Sequence, residues 1–142
     1  MCVIADIRYV VNSDRQFWYS LDKHLPEEGF TEKVNRHMGY ILSDGEIPAG
    51  LLRYNFFWDN LPFCTMLFID WHMQGKGFGK ELLLYWEQEM KSKGHGMVMT
   101  STQTDESAQH FYRKLGYQDA GCLVLDIPGY KQPMEMFLVK KI

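Results

Sequence analysis

The stretch Leu67-Phe68-Ile69-Asp70-Trp71-His72-Met73-Gln74-Gly75-Lys76-Gly77-Phe78-Gly79-Lys80 passes from an apolar run into a glycine-rich turn. Directly after it, Phe78, Leu82, Tyr85, Trp86 and Met90 recur at three- and four-residue steps, the period of an amphipathic helix. The turn therefore joins a strand to a helix over 77–93, with Glu87/Lys91 and Glu89/Lys93 as i,i+4 pairs and Gly94 as its stop. Glycine lets the backbone fold back tightly and lets an incoming group reach N–H donors with no Cβ in the way. The first turn of a helix carries unpaired N–H groups and partial positive charge, which suits an anion. Several charge-assisted bonds at roughly 1.5–3 kcal/mol each would make a binding site. Lys76 and Lys80 add positive charge at its rim. The plainer alternative is a turn that binds nothing.

Two nucleotide readings fail on the letters. A dinucleotide fingerprint needs glycine three residues after Gly77, where Lys80 stands. A Walker A loop needs Ser or Thr after Gly79-Lys80, where Glu81 stands.

Working outward, Pro62–Ile69 is the strand before the turn, and Met97–Ser101 is the strand after the helix. Such a β-α-β unit makes the two strands parallel, joined by a right-handed crossover. Upstream, Val3, Ala5, Ile7, Tyr9 and Val11 alternate as one buried strand face. Ser13 with Gln16 forms a capping-box pattern for a helix to about His24, stopped by Pro26, and a second helix runs from Thr31 to Arg36. Tyr40–Ser43 and Ile47–Trp58 flank Asp44-Gly45, a two-residue hairpin signal, and Asp59-Asn60 makes the next turn. Downstream, Asp105 caps a helix carrying Ala108, Phe111, Tyr112 and Leu115 on one face, ended by Gly116. Tyr117–Ile127 and Met134–Lys140 close the chain as strands around Pro128-Gly129. The class is mixed α/β, in the order βααβββαβαββ.

Composition bounds the function. At 142 residues the chain suits one domain over 1–142, and 46% hydrophobic with 23% charged residues is ordinary globular usage. A net charge of −3 argues against a surface built for nucleic acid. Cys2, Cys64 and Cys122 are far apart and lack metal-ligand spacing, which reads as reduced thiols and no metal site. Apolar runs such as 61–69 are too short to span a bilayer, and the N-terminus shows no signal-peptide pattern. The expectation is a cytoplasmic protein without a membrane partner.

Two motifs then carry a resemblance. Gln74-x-x-Gly77-x-Gly79 resembles the pyrophosphate-binding signature of the GNAT superfamily, the GCN5-related N-acetyltransferases. Asp105-x-x-Ala108-x-x-Phe111-Tyr112-x-Lys114-Leu115-Gly116-Tyr117 is similar to that family's Asn-x-x-Ala-x-x-x-Tyr-x-Lys-x-Gly-Phe helix. The element order fits as well, so the likeness spans nearly the whole chain.

The resemblance implies a mostly antiparallel sheet of about seven strands, with a central parallel pair and about four helices. The parallel strands would splay apart to admit the pantetheine of acetyl-CoA. It implies that Leu67, Phe68 and Ile69 line the pantetheine through main-chain groups. The N–H groups of Gln74, Gly75, Lys76, Gly77, Phe78, Gly79 and Lys80 would hold the pyrophosphate. Tyr112 would be the general acid that protonates the departing CoA thiolate. By periodicity alone, Tyr112 reads equally as core. Asp105 stands where the family has Asn. It can cap the helix but cannot donate as an amide would, which weakens its expected cofactor contact.

A lysine-like acceptor amine is neutral about once in 2,500 molecules at pH 7, a handicap of roughly 4.6 kcal/mol, so a base is needed. The strand Pro62–Ile69 contains no acid, and Asp59, Asp70 and His72 match no motif position, so no base is assigned. Trp58, Phe56, Phe57 and Trp71 could frame an acceptor pocket but read equally as core aromatics. His24, His37, His95 and His110 are scattered and read as solvated. Arg113 and Lys114 read either as cofactor-phosphate contacts or as solvated charges. The implied function is acetyl transfer from acetyl-CoA to a small-molecule or peptide amine by direct attack, with a homodimer compatible with the family. The alternative is a CoA-binding module without turnover.

Overall fold

In the computed structural model, which describes residues 5–142, every strand joins one sheet. The elements are β1 (Asp6–Tyr9), α1 (Arg15–Leu21), α2 (Glu27–Arg36), β2 (Gly39–Asp44), β3 (Ile47–Phe57), β4 (Leu61–Ile69), α3 (Phe78–Ser92), β5 (Met97–Gln103), α4 (Ala108–Lys114), β6 (Gln118–Leu123) and β7 (Glu135–Lys141). The seven-stranded sheet runs β1-β2-β3-β4-β5-β7-β6, with β4–β5 its parallel pair and all other neighbours antiparallel. This is the expected order and class.

The centre of the sheet is buried on both faces, while β6 at its edge is exposed. Tyr40, Leu42, Leu52 and Tyr54 pack with Leu82, Leu83, Trp86 and Met90 of α3 and with Tyr112 of α4. Ile41 and Leu51 point the other way, onto Trp18 of α1 and Phe30 of α2. Side-chain alternation along β2 thus supplies both cores, because successive residues face opposite sides of a sheet.

Several boundaries differ from the sequence reading. β1 ends at Tyr9, so Val11 leaves the alternation and is exposed; Cys2 and Val3 lie outside the described residues. Asp14, and not Ser13, closes the entry to α1: its carboxylate accepts from Val11 N–H at 2.8 Å and from both terminal nitrogens of Arg8 at 2.7 Å. Pro26 opens α2 as its N-cap, four residues earlier than expected, and Glu27 and Glu28 then complement the positive helix end. The β3–β4 turn centres on Trp58 and Asp59, both at positive φ (55° and 64°). Asp105 does not cap α4, which starts from Ser107 without a side-chain bond; Gln109 Nε2 ties that turn by donating to Thr104 O and Glu106 O. Glu87 pairs with no Lys91. It is buried, accepting from Tyr117 Oη at 2.9 Å and Lys140 Nζ at 2.7 Å.

The fully buried carboxylate of Asp22 accepts from Trp18 Nε1 (3.1 Å), Arg53 Nε (2.8 Å) and His24 N–H (3.0 Å). Burial pushes this carboxyl up, but Arg53 and the two N–H donors outweigh it and hold it below the usual range. Asp14 is lowered in the same way beside Arg8 and Val11 N–H. A carboxyl depressed in the folded state contributes stability above its unfolded pKa, about 3.9, and loses it as pH falls through the folded value. The melting temperature is therefore expected to hold from neutral pH down to about 5 and to drop below about pH 4. Calorimetry across that range checks it, and Asp22→Asn should flatten the drop.

Candidate active site

The parallel pairing of β4 with β5 covers only two rungs, Phe63 with Met99 and Cys64 with Thr100. Thr100 Oγ1 donates to Cys64 O at 3.1 Å at that last rung. Beyond it the strands diverge. β4 stays bonded to β3 through Leu67, Phe68 and Ile69, while β5 stays bonded to β7 through Ser101–Gln103. The right-handed twist of neighbouring strands opens a fork there, along whose inner edges β4 and β5 no longer pair with each other.

A cavity of about 390 Å³ runs from this fork along the start of α3. Of the expected cofactor residues, it is lined by Leu67, Phe68, Ile69, Gln74, Gly75, Gly77, Phe78, Gly79 and Lys80, together with Tyr112. Two residues are not brought there. Lys76 leans away toward Asp44, at 3.8 Å, and Asp105 sits exposed in the turn before α4.

Gly75 and Gly77 adopt φ of +81° and +82°, and a Cβ on either would meet no atom within 4 Å, so the loop faces open space. Gly79 differs: its Cβ would rest 3.7 Å from Ile69 and Phe111, an ordinary packing contact at the cavity floor. Gly77 is the N-cap of α3 and no side chain caps it. The first helical bond is Glu81 N–H to Gly77 O at 3.1 Å, leaving the N–H groups of 78–80 without an intrahelical partner. Gln74 Nε2 donates to Ile69 O at 2.9 Å and ties the loop to the end of β4. Outward N–H donors at a helix start, beside an unpaired strand edge, fit a long ligand with an anionic middle and an amide-bearing arm.

A second cavity of about 360 Å³ lies on the other side of the fork. It shares Leu67, Phe68, Ala108 and Tyr112 with the first and adds Cys64, Thr65, Thr100–Gln103, His24, Glu106 and Glu135. Tyr112 stands at the junction, only 6% exposed, with its ring against Phe111 and Tyr117. Burial pushes its phenol up, the neighbouring Cys64 and Glu106 act in the same direction, and the Thr100 hydroxyl opposes them. The group is a proton donor at neutral pH. Cys64, on the same wall, is pushed up by burial to about 12.

His24, Glu106 and Glu135 were not legible as site residues, because no motif or spacing links a loop after α1, a turn before α4 and the first residue of β7. Phe56, Phe57, Trp58 and Trp71 line neither cavity. Arg113 is engaged by Asp119 at 3.0 Å and by Gln109 at 2.9 Å, as a surface helix charge. Among the described residues no cluster of His, Cys, Asp or Glu could hold a metal ion, and no helix is long and apolar enough to cross a membrane.

A forked parallel pair beside an amide-lined helix start defines an acetyltransferase-type α/β fold. Residues 6–117 match the Acetyltransferase (GNAT) family, and the chain belongs to that family. No curated protein matches it in sequence. Solved structures match the fold closely. Ard1 from Thermoplasma volcanium has a TM-score of 0.83 at 14% identity, covering 97% of each chain. Arabidopsis thaliana Naa50, in complex with the bisubstrate analogue CoA-Ac-MVNAL, has 0.81 at 12% identity, covering 97% of this chain and 99% of that one. The ribosomal-protein-S18-alanine N-acetyltransferase of Escherichia coli has 0.76 at 16% identity, covering 98% and 94%.

Proposed function

We propose that this chain is an N-acetyltransferase that moves the acetyl group of acetyl-CoA onto a primary amine by direct attack in a ternary complex. The observation that carries this reading is the position of Tyr112, the hydroxyl-bearing side chain among the four residues shared by the amide-lined cavity and the second cavity. Donor and acceptor would enter from opposite sides and react beside its hydroxyl. When bound, the thioester supplies the activated acetyl group. The N–H groups of 74–80 hold the diphosphate, and the open edge of Leu67–Ile69 takes the pantetheine amides.

Tyr112 then supplies the proton that the leaving sulfur needs. In water a phenol at about 10 is a weaker acid than a thiol near 8.5, so transfer is uphill by roughly 2 kcal/mol. Burial raises a thiol and a phenol alike in this wall, as at Cys64 and Tyr112. What favours the transfer is a phenol already hydrogen-bonded to the sulfur as negative charge develops there.

The peptide-bearing analogue in complex with Naa50 and the ribosomal-protein alanine in the name of the E. coli enzyme make a peptide α-amine the first acceptor class to assay, with small amines beside it. Buried Cys64 and exposed Cys122 are free thiols, in keeping with a reducing cytoplasm. One observation favours a CoA-binding module without turnover: β4 carries no acid along Leu61–Ile69.

A panel of free-amine peptides and small amines with acetyl-CoA, read by thiol release, separates the two. Turnover above buffer with at least one amine supports the enzyme; tight CoA binding without thiol release supports the module. Binding itself is checked by melting. CoA at 100-fold excess over its Kd should stabilise by about 2.7 kcal/mol. At roughly 3–4 °C per kcal/mol for a domain of this size, the melting temperature rises by about 10 °C. ATP or NAD giving an equal rise would count against the reading.

A further inference from the structure

We propose that His24 is the general base that takes the proton from the acceptor amine; this rests on the acetyl-transfer reading above. Three groups able to accept a proton line the second cavity from outside its floor: His24 between α1 and α2, Glu106 before α4 and Glu135 at the start of β7. A carboxylate ordinarily titrates near 4 and an imidazole near 6.5, so imidazole is the better-matched base at neutral pH. The two glutamates serve the other need, drawing an ammonium ion into the cavity.

A histidine on a connecting loop is a poor base unless something holds it. Here the loop is braced from beneath. His24 N–H donates to Asp22 Oδ1 at 3.0 Å, and Asp22, fully buried, pairs with Arg53 of β3 at 2.8 Å. Arg53 Nη1 continues to Thr65 Oγ1 at 2.9 Å, and Thr65 lines the same cavity as His24. Burying a carboxylate costs several kcal/mol unless its lone pairs are satisfied, and this one is satisfied by groups that fasten the loop to the cavity wall. His24 is itself exposed, so it can pass a proton on to water. The titratable groups that share its cavity are Glu106, Glu135, Tyr112 and Cys64, and Asp22 and Lys23 flank it on its own connection.

The step balances as follows. The ammonium gives one proton to His24 and through it to solvent. The freed lone pair forms the C–N bond while the C–S bond breaks, with its electron pair going to sulfur. Tyr112 protonates the sulfur, and the second proton, shed by the new amide nitrogen, restores the phenol.

The test compares wild type, His24→Ala and Glu135→Gln, using the best amine of the panel and also acetyl-CoA alone, where water is the acceptor and needs the same base. His24→Ala should lower kcat/KM by about 100-fold at pH 7.5. It should also abolish the loss of rate on acidification that a base mechanism predicts for wild type. Without turnover, the imidazole ¹⁵N resonances of His24 should move when a CoA–acetyl–tetrapeptide analogue spanning both cavities is added, and stay put with CoA alone. Equal rates and an unchanged acid limb in His24→Ala overturn the proposal, as does loss of that limb in Glu135→Gln only, or an imidazole signal indifferent to the analogue. A wild type that binds CoA but releases no thiol with either acceptor overturns the acetyl-transfer reading instead, and His24 with it.

Discussion

Tyr112→Phe is expected to lower turnover by about 10²–10⁴-fold while leaving CoA affinity within about threefold. The substitution removes one oxygen from a ring whose remaining contacts are apolar, with centroids 5.2 Å from Phe111 and 5.5 Å from Tyr117. Phenylalanine fills the same space, so the fold should melt within a degree or two of wild type. The proposed diphosphate donors lie in the loop before α3 and the first turn of that helix and do not include the hydroxyl, so binding should persist. What disappears is the proton for the leaving sulfur. Steady-state thiol release with the best amine, beside calorimetric titration of CoA, reads the two effects separately. Unchanged turnover with intact binding would remove Tyr112 from the chemistry and leave it as a core residue of α4.

Gly77→Val is expected to weaken CoA binding by about 100-fold. The space around Gly77 is open, so no clash is involved; the cost is in the backbone. A β-branched residue at φ of +82° is strained by roughly 1–3 kcal/mol, and the loop relieves this by rotating the peptides on either side. Those peptides carry N–H groups proposed to bind the diphosphate, and each charge-assisted bond lost is worth about 1.5–3 kcal/mol. Gly94→Val is the control. Gly94 also has positive φ, at 95°, and its surroundings are equally open, but it lies past the opposite end of the fifteen-residue α3. Both variants should lose similar melting temperature, and Gly77→Val by itself should lose CoA. Equal CoA affinity in the two would mean that the loop before α3 does not hold the diphosphate.

Legibility followed the range of the forces involved. The glycine pair at 75 and 77, the stop at Gly94 and the turn at Pro128-Gly129 all behave as their letters indicate, since each expresses a local backbone preference. Tyr112 was placed on the inward face of its helix by spacing, and it is inward. Several misplaced features were decided by a partner in another element. Asp14 took over the entry to α1 because Arg8 reaches it from β1. Glu87 was read as a surface pair with Lys91, yet it turns inward because Tyr117 and Lys140, thirty and fifty-three residues away, satisfy its carboxylate. Tyr85, read as part of the buried stripe of α3, is 43% exposed and meets Tyr40 only edge-on.

The sequence by itself determined the class of sheet, the strand-turn-helix with its glycine-rich start, and the apolar helix face that carries Tyr112. Each of these is written in spacing within a single element or its neighbour, where backbone sterics and hydrophobic period act directly. Only the tertiary structure decided that β4 and β5 part after Cys64 and Thr100, and that the fork holds two cavities meeting at Tyr112. Only it brought His24, Glu106 and Glu135 to one cavity. How far two strands pair depends on accumulated twist and on what packs beneath them, and the loop's position depends on a buried ion pair spanning thirty-one residues. No local pattern carries that information.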